Sequence, residues 1–121
     1  MRILVVDDDK MTLIALSKKL KEKNYEVSAT IDVVEALTIL SDEKIDLVIS
    51  DVMMPCLSGF TFLIMMKNFY YSGVPFIFIS SYDQESMIRT AHNLGARYFI
   101  SKPIDYDELL LKIEEFTSDA A

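Results

Sequence analysis

Five polar side chains stand where the apolar runs of this chain stop. Asp7 and Asp8 follow Ile3-Leu4-Val5-Val6, and Asp51 follows the run Asp46 to Ser50. Ser80 follows Val74 to Ile79, and Lys102 comes just after Tyr98 to Ile100. Three carboxylates gathered bare in a partly buried site repel one another strongly. A divalent cation resolves that repulsion. Mg²⁺ takes oxygen ligands and keeps several waters, so two or three carboxylates are a fitting set. A carboxylate beside Mg²⁺ can attack phosphorus and form an acyl phosphate. The metal offsets charge on the phosphoryl oxygens, Lys102 adds a second cation, and the Ser80 hydroxyl can hydrogen-bond a phosphoryl oxygen. Each part needed for in-line phosphoryl transfer to an aspartate is present.

Singly, these residues have plainer roles. An aspartate after a strand often caps a helix. A serine can sit in a turn, and a lysine can simply be solvated. Their joint placement at the ends of four runs, in this order, is what points to chemistry.

The elements that must position them alternate. The wholly apolar Ile3–Val6 suits a strand buried on both faces. Lys10–Lys23 reads as a helix with Leu13, Leu16 and Leu20 on one face, ending at Asn24. Tyr25–Thr30 alternates as a second strand, and Asp32 caps a helix over Val33–Leu40. Asp46–Ser50 is a third strand and Phe60–Tyr70 a helix. Val74–Ile79 is a fourth strand and Gln84–Asn93 a helix stopped by Gly95. Tyr98–Ile100 is a fifth strand and Asp105–Phe116 a last helix. Five βα units without repeat or linker predict an α/β fold, a parallel sheet covered by helices on both faces. In such open sheets ligands bind beyond the carboxyl ends of the strands, where the five polar residues lie.

Length and composition set limits. A chain of 121 residues, 51% hydrophobic and 26% charged, is long enough for one domain with a real core. The net charge of −7 argues against direct binding to nucleic acid, which needs Lys and Arg. Cys56 is the lone cysteine, so no intrachain disulfide forms and a reduced, cytoplasmic setting is expected. No run reaches the ~18 apolar residues of a membrane span, and no signal peptide is visible.

The motifs Leu4-Val5-Val6-Asp7-Asp8, Asp51-Val52-Met53-Met54-Pro55 with Ser58-Gly59, Ile79-Ser80 and Lys102-Pro103 resemble those of the receiver domain of bacterial two-component response regulators, the CheY-like family. The resemblance runs from Arg2 to about Phe116. It implies a doubly wound, three-layer, flavodoxin/CheY-like (βα)5 sandwich with strand order 2-1-3-4-5, and a single receiver domain over residues 1–121. It implies that Asp51 is the phosphoacceptor. Asp7 and Asp8 would bind Mg²⁺, Asp8 more directly and Asp7 partly through water, with the Met53 backbone carbonyl as a further ligand. Ser80 matches the switch hydroxyl, Lys102 the site lysine and Phe99 the switch aromatic, three residues before the lysine. Lys102-Pro103 resembles the family's cis peptide. The expected donor is a histidine kinase or a histidine phosphotransfer protein. The expected output is a change in the surface of the fourth helix, fifth strand and fifth helix (about Gln84 to Phe116), through which the family can also dimerise.

Two residues depart from the family's pattern without touching the chemistry: Ser58 replaces the usual Asp or Asn, and Cys56 follows Pro55. Gly59, Phe62, Leu63, Met66, Phe69 and Tyr70 form a core stripe at helical spacing. Ile64 and Tyr71 point roughly the other way, either as a contact surface for a partner or as scattered surface apolars. Only Ile104 to Ala121 follow Lys102-Pro103. That leaves no room for a helix-turn-helix, so the expectation is a stand-alone receiver or one cut from a larger protein. Three alternatives stay open. One is a pseudo-receiver that binds without phosphorylation. Another is a small phosphatase with Asp7 as nucleophile, although Met11 stands where such enzymes use Thr or Val. The third is a flavodoxin-like binder, although no glycine loop follows the first strand.

Overall fold

The computed structural model describes residues 1–55, 57–69 and 73–119. Its elements are β1 (Arg2–Val6), α1 (Lys10–Glu22), β2 (Glu26–Thr30), α2 (Val33–Asp42), β3 (Leu47–Asp51), α3 (Gly59–Phe69), β4 (Phe76–Ser80), α4 (Glu85–Asn93), β5 (Tyr98–Ser101) and α5 (Tyr106–Asp119). The five strands form one sheet in the order β2-β1-β3-β4-β5, and each neighbouring pair is parallel. The fold class is the one read from the sequence, and the strand order is the one the family resemblance implied. Among the described residues no helix is long and apolar enough to cross a membrane.

Alternation along the strands divides the core in two. Leu4, Val6, Val48, Phe76 and Phe78 face a layer that includes Val33, Ala36 and Leu40 of α2, Phe62, Leu63 and Met66 of α3, and Ala91 of α4. Ile3, Val5, Leu47, Ile49, Ile77, Ile79 and Ile100 face the other layer, with Leu16 and Leu20 of α1 and Leu109, Ile113 and Phe116 of α5. The central strands β3 and β4 are buried along their whole length. This is why they read as continuous apolar runs. Edge-to-face contacts of Phe60 with Phe78 (centroids 5.1 Å apart) and of Phe62 with Phe76 (5.6 Å) seat α3 on the sheet.

Local signals set the helix ends. Asp9 caps α1, accepting from Met11 N at 3.1 Å and from the Thr12 hydroxyl at 2.8 Å. Asn24 takes the left-handed conformation (φ 68°) beyond α1; Asn24 N bonds Lys21 O and Tyr25 N bonds Leu20 O, the two bonds of a Schellman stop. Asp32 caps α2 by accepting from Val34 N at 3.0 Å.

Several boundaries differ from expectation. Asp51 and Ser80 are the last residues of β3 and β4, not the first loop residues. Asp51 pairs with Ile79, and Ser80 with Ser101. Strand β4 starts at Phe76; Pro75, lacking an N–H, serves only as acceptor for Val48 N. Helices α2 and α5 run on to Asp42 and Asp119. Ile64 is 41% exposed. Tyr70, Tyr71 and Cys56 lie outside the described residues, as does the side chain of Phe69.

Candidate functional site

The carboxyl ends of β1, β3 and β4 bring the predicted residues together. Asp7, directly after β1, is fully buried, Asp51 is 6% exposed and Ser80 is fully buried, whereas Asp8 opens to solvent. One carboxylate oxygen from each of Asp7, Asp8 and Asp51 lies within 4.8 Å of the other two. Lys102 reaches in from the loop after β5. Its Nζ lies 2.9 Å from Asp7 Oδ2 and 3.7 Å from Asp51 Oδ1. The Lys102–Pro103 peptide is cis, as the resemblance implied. Lys102 N also donates to Ser80 O at 2.8 Å, which ties the lysine loop to the end of β4.

Backbone groups orient the acids. Asp9 N donates to Asp7 Oδ1 at 2.9 Å, and Val52 N donates to Asp51 Oδ1 at 3.0 Å. Asp7 Oδ2 is sealed from solvent and has no hydrogen-bond partner among the described residues beyond its ion pair with Lys102. Ser80 Oγ accepts from Tyr82 N at 3.0 Å. Phe99 is half-buried against the α2–α3–α4 side of the core. Met53, two residues beyond Asp51, is half exposed.

The electrostatics are those of crowded acids. Burial, then the Asp7 charge, pushes the Asp51 carboxyl up to about 7, against the pull of Lys102. Burial likewise raises Asp7, more than the Asp9 N–H and Lys102 lower it. Burial works against the Lys102 ammonium, but the Asp7 hydrogen bond and the Asp51 charge outweigh it and raise the lysine. The set is short of positive charge. A sealed, under-partnered carboxylate oxygen beside a solvent-open acid, with all donors hard oxygens within 4.8 Å of one another, fits a small divalent cation.

Sequence reading missed what presses on the backbone of Asp51. Ser50 Oγ donates to Asp51 O at 2.9 Å. Gly59 N donates to Val52 O at 2.7 Å, and a Cβ on Gly59 would sit 2.2 Å from Asp51 O and 3.0 Å from the Phe78 ring. Only glycine permits that approach. The sole trace in the sequence is the position of Gly59 eight residues after Asp51; Ser50 reads as an ordinary strand residue. Gly59→Ala is expected to destabilise the chain by about 1–3 kcal/mol. A urea midpoint equal to or above wild type would show that β3 yields without cost.

Residues 3–114 match the family model of the response regulator receiver domain. The chain belongs to the response regulator receiver family. Among curated relatives, it is 30% identical over 118 residues to the transcriptional regulatory protein CrdR of Helicobacter pylori, covering 98% of this chain and 55% of that protein. The receiver therefore spans about half the length of that relative. Among solved structures, the receiver domain of the Francisella response regulator 1452 superposes with a TM-score of 0.91 at 25% identity, over 99% of this chain and 98% of that one. A CheY-like receiver domain protein from Methanospirillum hungatei gives 0.89 at 29% identity, over 98% and 94%. As a receiver of two-component systems, the chain is a signalling module.

Proposed function

We propose that residues 1–121 form a single receiver that stores a signal as a phosphoryl group on Asp51. The observation that carries this reading is the Asp51 carboxylate, buried between two further acids and 3.7 Å from the Lys102 ammonium. The donor is the phosphohistidine of a histidine kinase or a phosphotransfer protein, in the cytoplasm. An Asp51 oxygen attacks phosphorus in line. The P–O bond forms as the P–N bond breaks, and the imidazole leaves with the electron pair. Asp7, Asp8 and Asp51, with the Met53 carbonyl, would hold Mg²⁺, which when bound offsets charge on the phosphoryl oxygens. Lys102 supplies a second, fixed cation 3.7 Å from Asp51 Oδ1. The Val52 N–H on Asp51 Oδ1 holds the nucleophile in place.

The readout runs through Ser80 and Phe99. The Ser80 hydroxyl turns toward the phosphoryl anion, and Phe99 moves into the space it leaves. The surface of α4, β5 and α5 then shifts toward a second conformation that an effector or a second copy recognises.

Incubation with labelled acetyl phosphate tests the reading. Acid-labile label is expected in Mg²⁺, absent in EDTA, and mapped to the peptide carrying Asp51. A pseudo-receiver takes up no label under the same conditions. A phosphatase turns over small phosphate esters instead.

A further inference from the structure

Helix α4 is held unequally at its two ends. Of its nine residues only Ala91 is buried, and its N-cap residue, Gln84, makes no side-chain capping bond. The loop before it is tied to the sheet by the bond from Tyr82 N to the switch serine Ser80 Oγ at 3.0 Å and by the longer one from Ser101 Oγ of β5 to Asp83 Oδ2 at 3.2 Å. The other end is locked. Gly95 N donates to His92 O at 2.9 Å and Ala96 N to Ala91 O at 3.0 Å, a Schellman stop with Gly95 left-handed at φ 98°. On top of this stop lies a cation from another helix: Lys67 Nζ of α3 donates to Leu94 O.

The Lys67 contact is close and specific. A Cβ on Gly95 would fall 1.9 Å from Lys67 Nζ. No described carboxylate is within ion-pair distance of Lys67, so the helix end is its partner. An ammonium there meets the negative end of the helix dipole and the last unpaired carbonyls. Arg and Lys both suit this role.

We propose that Lys67 is the pivot of the switch. It pins the carboxyl-terminal turn of α4, residues 91–96, to α3. A displacement of Ser80 Oγ toward Asp51 pulls on Tyr82 N and swings the amino-terminal end of α4, while the pinned turn stays in place. Lys67 is a positioning residue, acting through the Leu94 carbonyl and outside the phosphoryl site. The swing rests on the phosphoryl reading above; the pin does not.

Amide hydrogen exchange and backbone NMR shifts test both parts, with the whole chain as wild type, Lys67→Met and Lys67→Arg. In the free protein, Lys67→Met is expected to speed exchange at Leu94, Gly95 and Ala96 by about two- to fivefold, the range of a cation at a helix terminus. Lys67→Arg should restore the wild-type rates. On adding beryllofluoride with Mg²⁺, wild-type shift changes should concentrate at residues 81–88 and stay small at 94–96. In Lys67→Met they should spread across 94–96. Unchanged exchange at those amides in Lys67→Met overturns the pin. Wild-type shifts as large at 94–96 as at 85–88 overturn the pivot. No response to beryllofluoride at all overturns the phosphoryl reading and the swing with it, while the exchange rates still decide the pin.

Discussion

Asp51→Asn is expected to abolish acid-labile phosphorylation and, in the same protein, to raise metal-free stability above pH 7 by on the order of 2–4 kcal/mol. The first effect follows from chemistry, because a carboxamide is a poor nucleophile toward phosphorus. The second follows from the rise of the Asp51 carboxyl from its ordinary 3.8 to about 7, through burial and the Asp7 charge. An acid raised by folding stabilises fully below its unfolded value. That contribution is lost as pH rises through the folded value. Asp7, raised by burial, acts in the same direction. In EDTA the wild type should therefore lose stability between about pH 4 and about pH 7. Mg²⁺ should recover much of the loss. Asparagine carries no charge at any pH and still offers an oxygen to Val52 N, so Asp51→Asn should flatten most of the slope. Urea unfolding of both proteins from pH 4 to pH 8, with EDTA or Mg²⁺, measures this. A parallel pair of curves would mean that Asp51 is not the strained acid.

Lys102→Met is expected to act in the opposite sense on stability. The substitution takes the only ion-pair partner among the described residues from Asp7 Oδ2, which is wholly buried. Breaking a buried pair by removing one member costs about 3–5 kcal/mol. The loss should be full near pH 8 in EDTA, smaller in Mg²⁺, and smallest near pH 4, where Asp7 and Asp51 bind protons. Phosphorylation by acetyl phosphate should slow by about 10²–10³-fold, the usual cost of losing one preorganised stabiliser of transition-state charge. Lys102 and Asp51 are in contact, so the double variant should be non-additive. In the Asp51→Asn background, Lys102→Met should cost less than in the wild type. Equal costs in both backgrounds would remove Asp51 from the lysine's charge network. This test is separate from labelling and reads the ground-state ion pair alone.

The two substitutions sort the site by charge. Removing an acid relieves it and removing the base strains it, because the site carries more negative charge than Lys102 balances. That imbalance is what a divalent cation, and then a phosphoryl group brought with it, can exploit.

Much of this site is written locally. Apolar runs of strand length closed by Asp7, Asp51, Ser80 and Lys102 are legible because strands buried on both faces are mostly apolar, so the polar residues gathered at their ends mark the sheet edge to within a residue. Helix ends at Asn24 and Asp32 are legible because each uses its own side chain or its own φ. The strand order was available only through the family resemblance, since nothing local states which strand neighbours which. The last residue of a strand was also beyond reach. Asp51 and Ser80 belong to the sheet because Ile79 and Ser101 pair with them, and pairing partners are set by packing.

By itself, then, the sequence determined the alternating architecture, the residues at the strand ends and the chemistry they share, because hydrophobic period and turn chemistry act over a few residues. Only the tertiary structure decided how close the acids stand and which of them is sealed. It alone brought Gly59 against the Asp51 carbonyl, and Lys67 onto a helix end 27 residues away. These depend on distances between elements, set by the packing of two side-chain layers against one sheet.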